Sequence, residues 1–578
     1  MVLRMRTVIK KHGIEFLIAL VLTAVIMFPY LIRGFLPIEH DTFFHVSRIE
    51  NLSKEIAEGN FLPALYPYEN GGYGYASPLF YCDLLLIPAA LMHLAGLPLT
   101  ICYTQLVCVF TFFSCLSMYA LSLHITKSRK AAWISAAAYL FSNYHITDIY
   151  VRGALGETMA LAPLPLVILA MYRIMYEKDK NAWHLLAAGL AVLVMCHNLT
   201  FLFGCLLCVI IFAVYIRNLD KEIFITLCKG VGLAFLVTCF YTVPMIEQLA
   251  SQKFIVGIYA SSSNLSAYSM APWQYLANKT VFGLAGNTME PSRTMLENIG
   301  LFLTFVPVFY LTLKQKHPFI LFLLAAGYIC MILPGSWIPW DLLVFARVIQ
   351  FPWRLNTVAM LFLAVPAGAF CAKILPKYCA PVLICVLAAE CVWHVSPVLS
   401  RTFGMQASQT WNDVLDGALC DPYYSAYYVR VELAGADYLP VNAPDFRGRG
   451  TQLRDENGVI EDLEYQKFGN RMLIKLEDNI PQRLILPLTW YKGYVVTRTY
   501  EGMTEIIPAV PDSEAMVSFH PYGPGTYVCM YAGTPLRNTC MSISWITLVL
   551  YALFCYDSRY HLGIVRRLYA RLPMKKAG

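Results

Sequence analysis

Apolar runs of about 20 residues, repeated along the chain, constrain this fold more than any other feature of the sequence. The first, residues 14–32, reads IEFLIALVLTAVIMFPYLI. A bilayer presents about 30 Å of hydrocarbon, and about 20 helical residues cross it. With no water there to bond the peptide groups, such runs must be helices. Charged residues make up only 14% of the 578, against about 25% in soluble chains. The sequence therefore predicts a polytopic α-helical membrane protein. The first run is too long for a signal-peptide core and lacks a small-residue cleavage site, so it reads as a retained span.

The net charge of +7 comes from short basic clusters between apolar runs and at both ends. That is the signature of cytoplasmic loops rather than of nucleic-acid binding. Parity then gives about 12 spans, near 14–33, 101–124, 130–144, 158–176, 183–197, 199–216, 224–245, 297–313, 317–334, 355–372, 380–396 and 541–556. Both termini fall in the cytoplasm. Residues 79–97 have the length of a span but carry Asp83, Pro88 and His93. Letting them cross would put Lys127, Arg129 and Lys130 outside, so they read as a re-entrant or surface-lying segment.

Residues 400–540 differ. Alternating stretches such as RMLIKLE and RLILPLTWYKGYVVTRTY, separated by ENG, EDN and YGPG, predict short strands of a β-sandwich. The expected domains are thus a transmembrane domain over 1–399, an extracytoplasmic sandwich over 400–540, and a last span with a basic cytoplasmic tail over 541–578. Trp490 and Tyr491 suit sandwich core better than a carbohydrate platform. Most of the 18 cysteines lie in apolar runs and read as small buried hydrophobes. Cys420, Cys529 and Cys540 lie in the polar region, with no pairing indicated.

On this topology the unusual polar groups gather at the external ends of spans. Glu39, His40, Asp41, His45 and Arg48 follow the first. His145, Asp148, Arg152 and Glu157 follow the third, and His197 and Asn198 sit at the next tip. Glu247 and Glu297 bracket a long external loop over about 246–296, and Asp341, Arg347 and Arg354 lie between later spans. Taken singly, each is an ordinary interfacial residue; His45 and Arg48 suit a helix lying along the membrane surface. Taken together, they put carboxylates, imidazoles and guanidinium groups at one leaflet. A lipid-linked donor places its phosphate at that level. Arginine binds phosphate bidentately, a carboxylate can accept the proton of an attacking hydroxyl, and phosphate leaves readily once its charge is compensated.

The stretches PIEHDTFFHVSRI, NGGYGYASPLFY, FSNYHITDIYVRGALGE, CHNLT and FPWRL resemble a bacterial family of 6-pyruvoyl-tetrahydropterin-synthase-related membrane proteins. More widely, they resemble the GT-C superfamily of membrane glycosyltransferases. PLTWYKGY is similar to the C-terminal part of YfhO-like proteins. The resemblance covers about residues 10–400 and continues more loosely beyond. It implies a GT-C-like bundle in a bacterial cell membrane, with juxtamembrane helices after span 1. It also implies an inverting glycosyltransferase that moves sugar from a polyprenyl phosphate to an extracytoplasmic glycan, teichoic-acid-like polymer or protein. Asp41 takes the place of the first-loop acid, with His40 beside it, and Glu157 or Asp148 that of the second-loop acid. Arg347 and Arg354 would hold the lipid phosphate. Arg152, His197, Asn198, His45 and Arg48 would line the substrate site. Family members differ in metal use, so the resemblance implies either a Mg or Mn ion on Asp41 and Glu157 or none. Glu39 and His40 stand where a second neighbouring acid is common. A lipid or sugar transporter or flippase is the competing reading; it calls for mid-membrane ionisable groups, of which Asp83 is the main one. A non-catalytic scaffold for cell-envelope assembly would need no such cluster at all.

Overall fold

A computed structural model describes residues 2–33, 39–262, 264–287, 290–404, 437–446, 449–460, 463–477 and 480–560. Cys420 and the basic tail after 560 lie outside them. The architecture is a helical membrane bundle followed by a two-sheet β domain and a final helix. Among the described residues seven helices are long and apolar enough to cross a membrane: Gly13–Ile32, Leu99–Thr126, Leu155–Tyr176, Lys221–Ser251, Pro352–Ile374, Cys379–Ser400 and Pro535–Ser558. This is fewer than the expected 12. The remaining apolar runs form shorter helices, Trp183–Cys196, Asn198–Val214, Leu301–Thr312 and Pro318–Ile332, and Arg129–Leu140. Residues 141–155 turn into short elements around the polar groups.

Residues 79–97 make no continuous membrane-length helix. They break into Ser77–Phe80, a 3-10 turn Leu84–Leu86 and Ile87–Leu94. The helix Thr42–Ala57 packs on this segment. His45 and Arg48 on it are buried, at 3% and 2% exposure. This corrects the expectation of a surface-lying face, because both side chains are turned inward by the ion pair described below.

The β domain holds two five-stranded antiparallel sheets. The strands are β1 (Arg454–Asp455), β2 (Gly458–Val459), β3 (Tyr465–Phe468), β4 (Arg471–Leu476), β5 (Leu484–Thr489), β6 (Tyr494–Tyr500), β7 (Met503–Pro508), β8 (Val510–Pro511), β9 (Met516–Phe519) and β10 (Gly525–Tyr531); one sheet runs β2-β1-β5-β9-β8 and the other β3-β4-β10-β6-β7. Alternation in β4 (Arg471–Leu476) sends Met472, Ile474 and Leu476 inward. They meet Leu484, Leu486 and Leu488 of β5 (Leu484–Thr489) and Val517 and Phe519 of β9 (Met516–Phe519) in one apolar cluster. Tyr491 is fully buried in it, as expected of core rather than of a sugar platform. Ala64, Leu65, Leu79, Phe80 and Phe254 of the membrane part join the same cluster. The backbone ties it down as well: Thr489 donates its N–H to Tyr73 (2.7 Å), and Val256 to Asp437 (2.8 Å). The domain therefore sits directly on the loops that follow the first and the Lys221–Ser251 spans. All described cysteines, Cys529 and Cys540 included, are free thiols.

Candidate active site

The loop after the first span is pinned to the loop that carries Arg152. Asp41 donates its N–H to the Arg152 carbonyl (2.8 Å), and His40 to that of Val151 (3.3 Å). Residues Asp148–Arg152 form one wide π-helical turn, a feature frequent at functional sites. It ends at Gly153, whose φ of +58° suits glycine. A Cβ there would strike Thr42 and Glu39. Beneath lies Glu39, fully buried, which accepts from Thr42 and lies 2.5 Å from the Tyr30 hydroxyl. Burial lifts its pKa to about 8, so it is neutral in the fold at pH 7. An unfolded chain would release that proton near pH 4.3. Stability should thus fall as pH rises from about 4.3 to about 8. Glu39→Gln is expected to remove that part of the pH slope in thermal melts while Glu39→Ala lowers the midpoint at every pH; an unchanged slope in Glu39→Gln would count against a neutral Glu39.

Asp41 is the N-cap of the helix Thr42–Ala57, yet its carboxylate caps nothing. The carboxylate makes no hydrogen bond or ion pair among the described residues. The residue is solvent-exposed although it lies deep in the protein, which puts it on the wall of an internal cleft. Desolvation raises its pKa, opposed by the charges of Arg152 and Arg354. Such a group is a stronger base than a surface aspartate.

Below the cleft, Glu157 gathers four partners. Its Oε1 accepts from the Tyr144 hydroxyl (2.6 Å) and the Thr357 hydroxyl (3.0 Å). Its Oε2 accepts from Arg152 Nη1 (2.8 Å), with Arg354 Nε 3.8 Å away. Arg152 also binds Asp148 and stacks on Trp353 at 4.7 Å. Burial and the neighbouring Glu157 charge push the Asp148 carboxyl up. Among the described residues Arg354 makes one side-chain hydrogen bond, from Nη1 to Gln350 Oε1 at 2.5 Å. Its Nε has no hydrogen bond, and its Nη2 makes none among the described residues. Phe351 lies 5.0 Å beneath its guanidinium. The arrangement leaves a fixed cation with donors to spare beside a free carboxylate.

His197 accepts the Thr200 N–H at Nδ1 (3.3 Å), so its proton sits on Nε2. Burial, and then the Arg354 and Arg152 charges against the attraction of Glu157, lower its pKa to about 3. It is a neutral donor. His40, 5.0 Å from Phe282, is held to about 4 by burial and then by Arg152, and is neutral too. Asn198 is spent, donating to the Phe80 carbonyl (2.8 Å) and accepting from Tyr241 (2.9 Å). The pKa of the Asp341 carboxyl is lowered first by hydrogen bonds from Ser266 and only weakly by Arg347.

His45 and Arg48 belong to a second knot. Arg48 donates through Nε to Asp83 Oδ1 (2.8 Å), through Nη2 to the Cys82 carbonyl (3.1 Å), and lies 3.1 Å from His45 Nδ1 through Nη1. Tyr66 donates to Asp83 Oδ2 (2.5 Å). Asp83, the carboxylate best suited to a proton relay by sequence, is thus locked in a buried ion pair. Arg48 thus gives most of its donors to Asp83, the Cys82 carbonyl and His45.

Three cleft residues carried no readable signal. Tyr81 stands over the Arg48 guanidinium (4.3 Å), with its ring 6.0 Å from His197. Tyr438, stacked on Phe80 at 4.8 Å, and the exposed Asp437 come from the edge of the β domain; the Asp437 carboxyl is raised by burial and then by Asp41. Only the quoted NGGYGYASPLFY hinted at Tyr81. The Tyr81 hydroxyl rests on Gly156, where a Cβ would collide with it. Gly156→Ala is expected to cost about 1–3 kcal/mol by overpacking, and Tyr81→Phe in the same chain to recover part of it; thermal melts of the three variants check this, and no recovery would place the clash elsewhere.

A divalent cation shared by Asp41 and Glu157 does not fit these residues. Both Glu157 oxygens are already bonded, and two guanidinium groups beside them repel a further cation. Among the described residues no group of three or more His, Cys, Asp or Glu is arranged to hold a metal.

No family model matches the chain. An uncharacterized protein of Lactococcus lactis subsp. cremoris (strain MG1363) is 26% identical over 294 residues; the match covers 46% of this chain and 46% of that protein, so just under half the relative's length is spanned. Among solved structures, arabinofuranosyltransferase AftD from Mycobacteria is similar with a TM-score of 0.44 and 11% identity, over 68% of this chain and 27% of that one. The apo oligosaccharyltransferase of Archaeoglobus fulgidus gives 0.34 and 11%, over 75% and 61%. AglB of the same organism, in complex with an inhibitory peptide and a dolichol-phosphate, gives 0.32 and 13%, over 75% and 62%.

Proposed function

We propose that this chain is a membrane glycosyltransferase of the GT-C type. It takes a sugar from a polyprenyl phosphate and places it, with inversion, on an extracytoplasmic glycan, teichoic-acid-like polymer or protein. The observation that carries the reading is the exposed, unbonded carboxylate of Asp41 beside the incompletely bonded guanidinium of Arg354. Asp41 takes the proton of the acceptor hydroxyl. The hydroxyl oxygen attacks the anomeric carbon from the face opposite the phosphate. The bond from that carbon to the phosphate oxygen breaks, and polyprenyl phosphate leaves with the electron pair. Arg354 stabilises the phosphate charge, and His197 offers an Nε2–H to the donor.

Glu157, Asp148 and Arg152 act by position. A lone Arg354 in a buried wall would be costly; Glu157 fixes it in place without quenching its outward donors. Tyr81 and Tyr438 supply aromatic faces for a sugar ring. The segment 437–440, part of the domain expected to lie outside, adjoins the same cleft, which favours an extracytoplasmic acceptor.

The test is the full chain in proteoliposomes with a panel of polyprenyl-phosphate hexoses and pentoses. Release of polyprenyl phosphate dependent on the protein is the expected result. A panel left intact, with protein shown to be folded by thermal melting, would refute the reading.

A further inference from the structure

A second concave site lies away from the cleft. It is a shallow groove, about 410 Å³ when the open solvent over it is counted, between the helix Lys221–Ser251, the start of the helix Pro535–Tyr560 and the loop of residues 62–84. Its walls are apolar, with Leu62, Pro63, Leu79, Phe240, Pro244 and Met541 among them. Its charged members are Asp83, which faces Arg48, and Arg537. Arg537 spends one side-chain hydrogen bond, from Nη2 to the Leu62 carbonyl at 3.3 Å. Among the described residues no carboxylate pairs with it. Glu247, on the adjacent helix end, is bonded to Lys492 (3.0 Å) and Thr534 (2.5 Å) instead.

The level of this cation is fixed by the chain. Arg537 lies in the first turn of the last membrane-length helix, six residues after β10 ends, so it stands at the water-facing end of a span. Leu536 and Ile246 beside it are 45% and 61% exposed, as lipid-facing residues would be. A guanidinium at headgroup depth, above an apolar groove and without a counter-ion, matches a phosphate with a chain attached. The groove shares no lining residue with Asp41, Glu157 or Arg354. The Tyr81–Cys82 backbone, held from the far side by Arg48, stands between the two. A phosphate held here is therefore not the one whose bond to sugar is cut.

We propose that this groove binds an anionic bilayer phospholipid, its phosphate on Arg537 and an acyl chain along Phe240, Pro244 and Met541. The site stands independently of the glycosyltransferase reading. The test is thermal melting of the purified full chain in detergent with added phosphatidylglycerol, phosphatidylcholine or polyprenyl monophosphate. Phosphatidylglycerol should raise the midpoint several degrees more than phosphatidylcholine. Arg537→Ala should abolish that excess and Arg537→Lys keep part of it. Met541→Trp, which fills the groove and spares the charge, should abolish it too, and serves if Arg537→Ala does not fold. Equal shifts by the two phospholipids, an excess that survives Arg537→Ala or Met541→Trp, or a shift by polyprenyl monophosphate alone would each overturn the proposal.

Discussion

Asp41→Asn is expected to slow sugar transfer by about 10³-fold and to leave donor binding unchanged. General-base catalysis contributes about 10²- to 10⁴-fold, and Asp41 is the carboxylate of the knot that is left free to supply it. The substitution removes a proton acceptor but no structural bond, since the Asp41 side chain caps no helix and pairs with no cation. Its backbone N–H, which holds the Arg152 carbonyl, is retained. Folding should therefore be intact, and the loss should appear in kcat with KM little moved. The pH profile gives a second check. The base works deprotonated, and desolvation raises its pKa, so kcat/KM should fall on the acid side at a pH above the ordinary aspartate value of about 3.9. Turnover of Asp41→Asn within a few-fold of the wild type would remove Asp41 from the chemistry.

Glu157→Ala should be the most damaging single change to the fold, costing about 3–5 kcal/mol. Both carboxylate oxygens are bonded, to Tyr144 and Thr357 on one side and to Arg152 on the other. Removing them leaves Arg152 with Asp148 alone and Arg354 without any carboxylate, both nearly sealed from water. It also strands two buried hydroxyls, each of which loses its acceptor. Glu157→Gln keeps acceptor oxygen and volume, and should lie between the wild type and Glu157→Ala. Thermal midpoints in detergent measure this. Equal midpoints for Glu157→Ala and the wild type would show that the knot is not what holds these spans together.

The membrane class and the β domain were legible because both depend on local pattern. Apolar length speaks for a span, and alternation in RMLIKLE speaks for β4. The gathering of Asp41, Arg152, Glu157 and Arg354 was legible too, since charge stands out in a chain this apolar. The bonding within that group was not. Glu157 meets Tyr144 thirteen residues away and Thr357 two hundred away, and no periodicity encodes such pairs. For the same reason the sequence reads His45 and Arg48 as substrate ligands and gives no sign that Arg48 pairs with Asp83 and the Cys82 carbonyl while His45 lies against Arg48. Arg347 and Arg354 look alike in sequence; Arg347 lies in the 3-10 turn Val344–Ile349 and Arg354 in the next, Pro352–Leu355, which brings its Nε to 3.8 Å from Glu157. The twelve expected runs all form helices, seven of membrane length and five shorter, as at 129–140, because parity counts crossings and not lengths. Asp437 and Tyr438 reach the cleft through the docking of the β domain, a long-range event without local trace.

The central claim is that Asp41 and Arg354 flank one donor sugar, the carboxylate on the acceptor side of the anomeric carbon and the guanidinium on the phosphate. A structure of the Asp41→Asn chain bound to a polyprenyl-phosphate sugar tests it most directly. The account predicts the phosphate within hydrogen-bonding distance of the Arg354 guanidinium and the anomeric carbon turned toward residue 41. A phosphate seated elsewhere, at Arg347, at Arg537 or at the cytoplasmic ends of the spans, would contradict it.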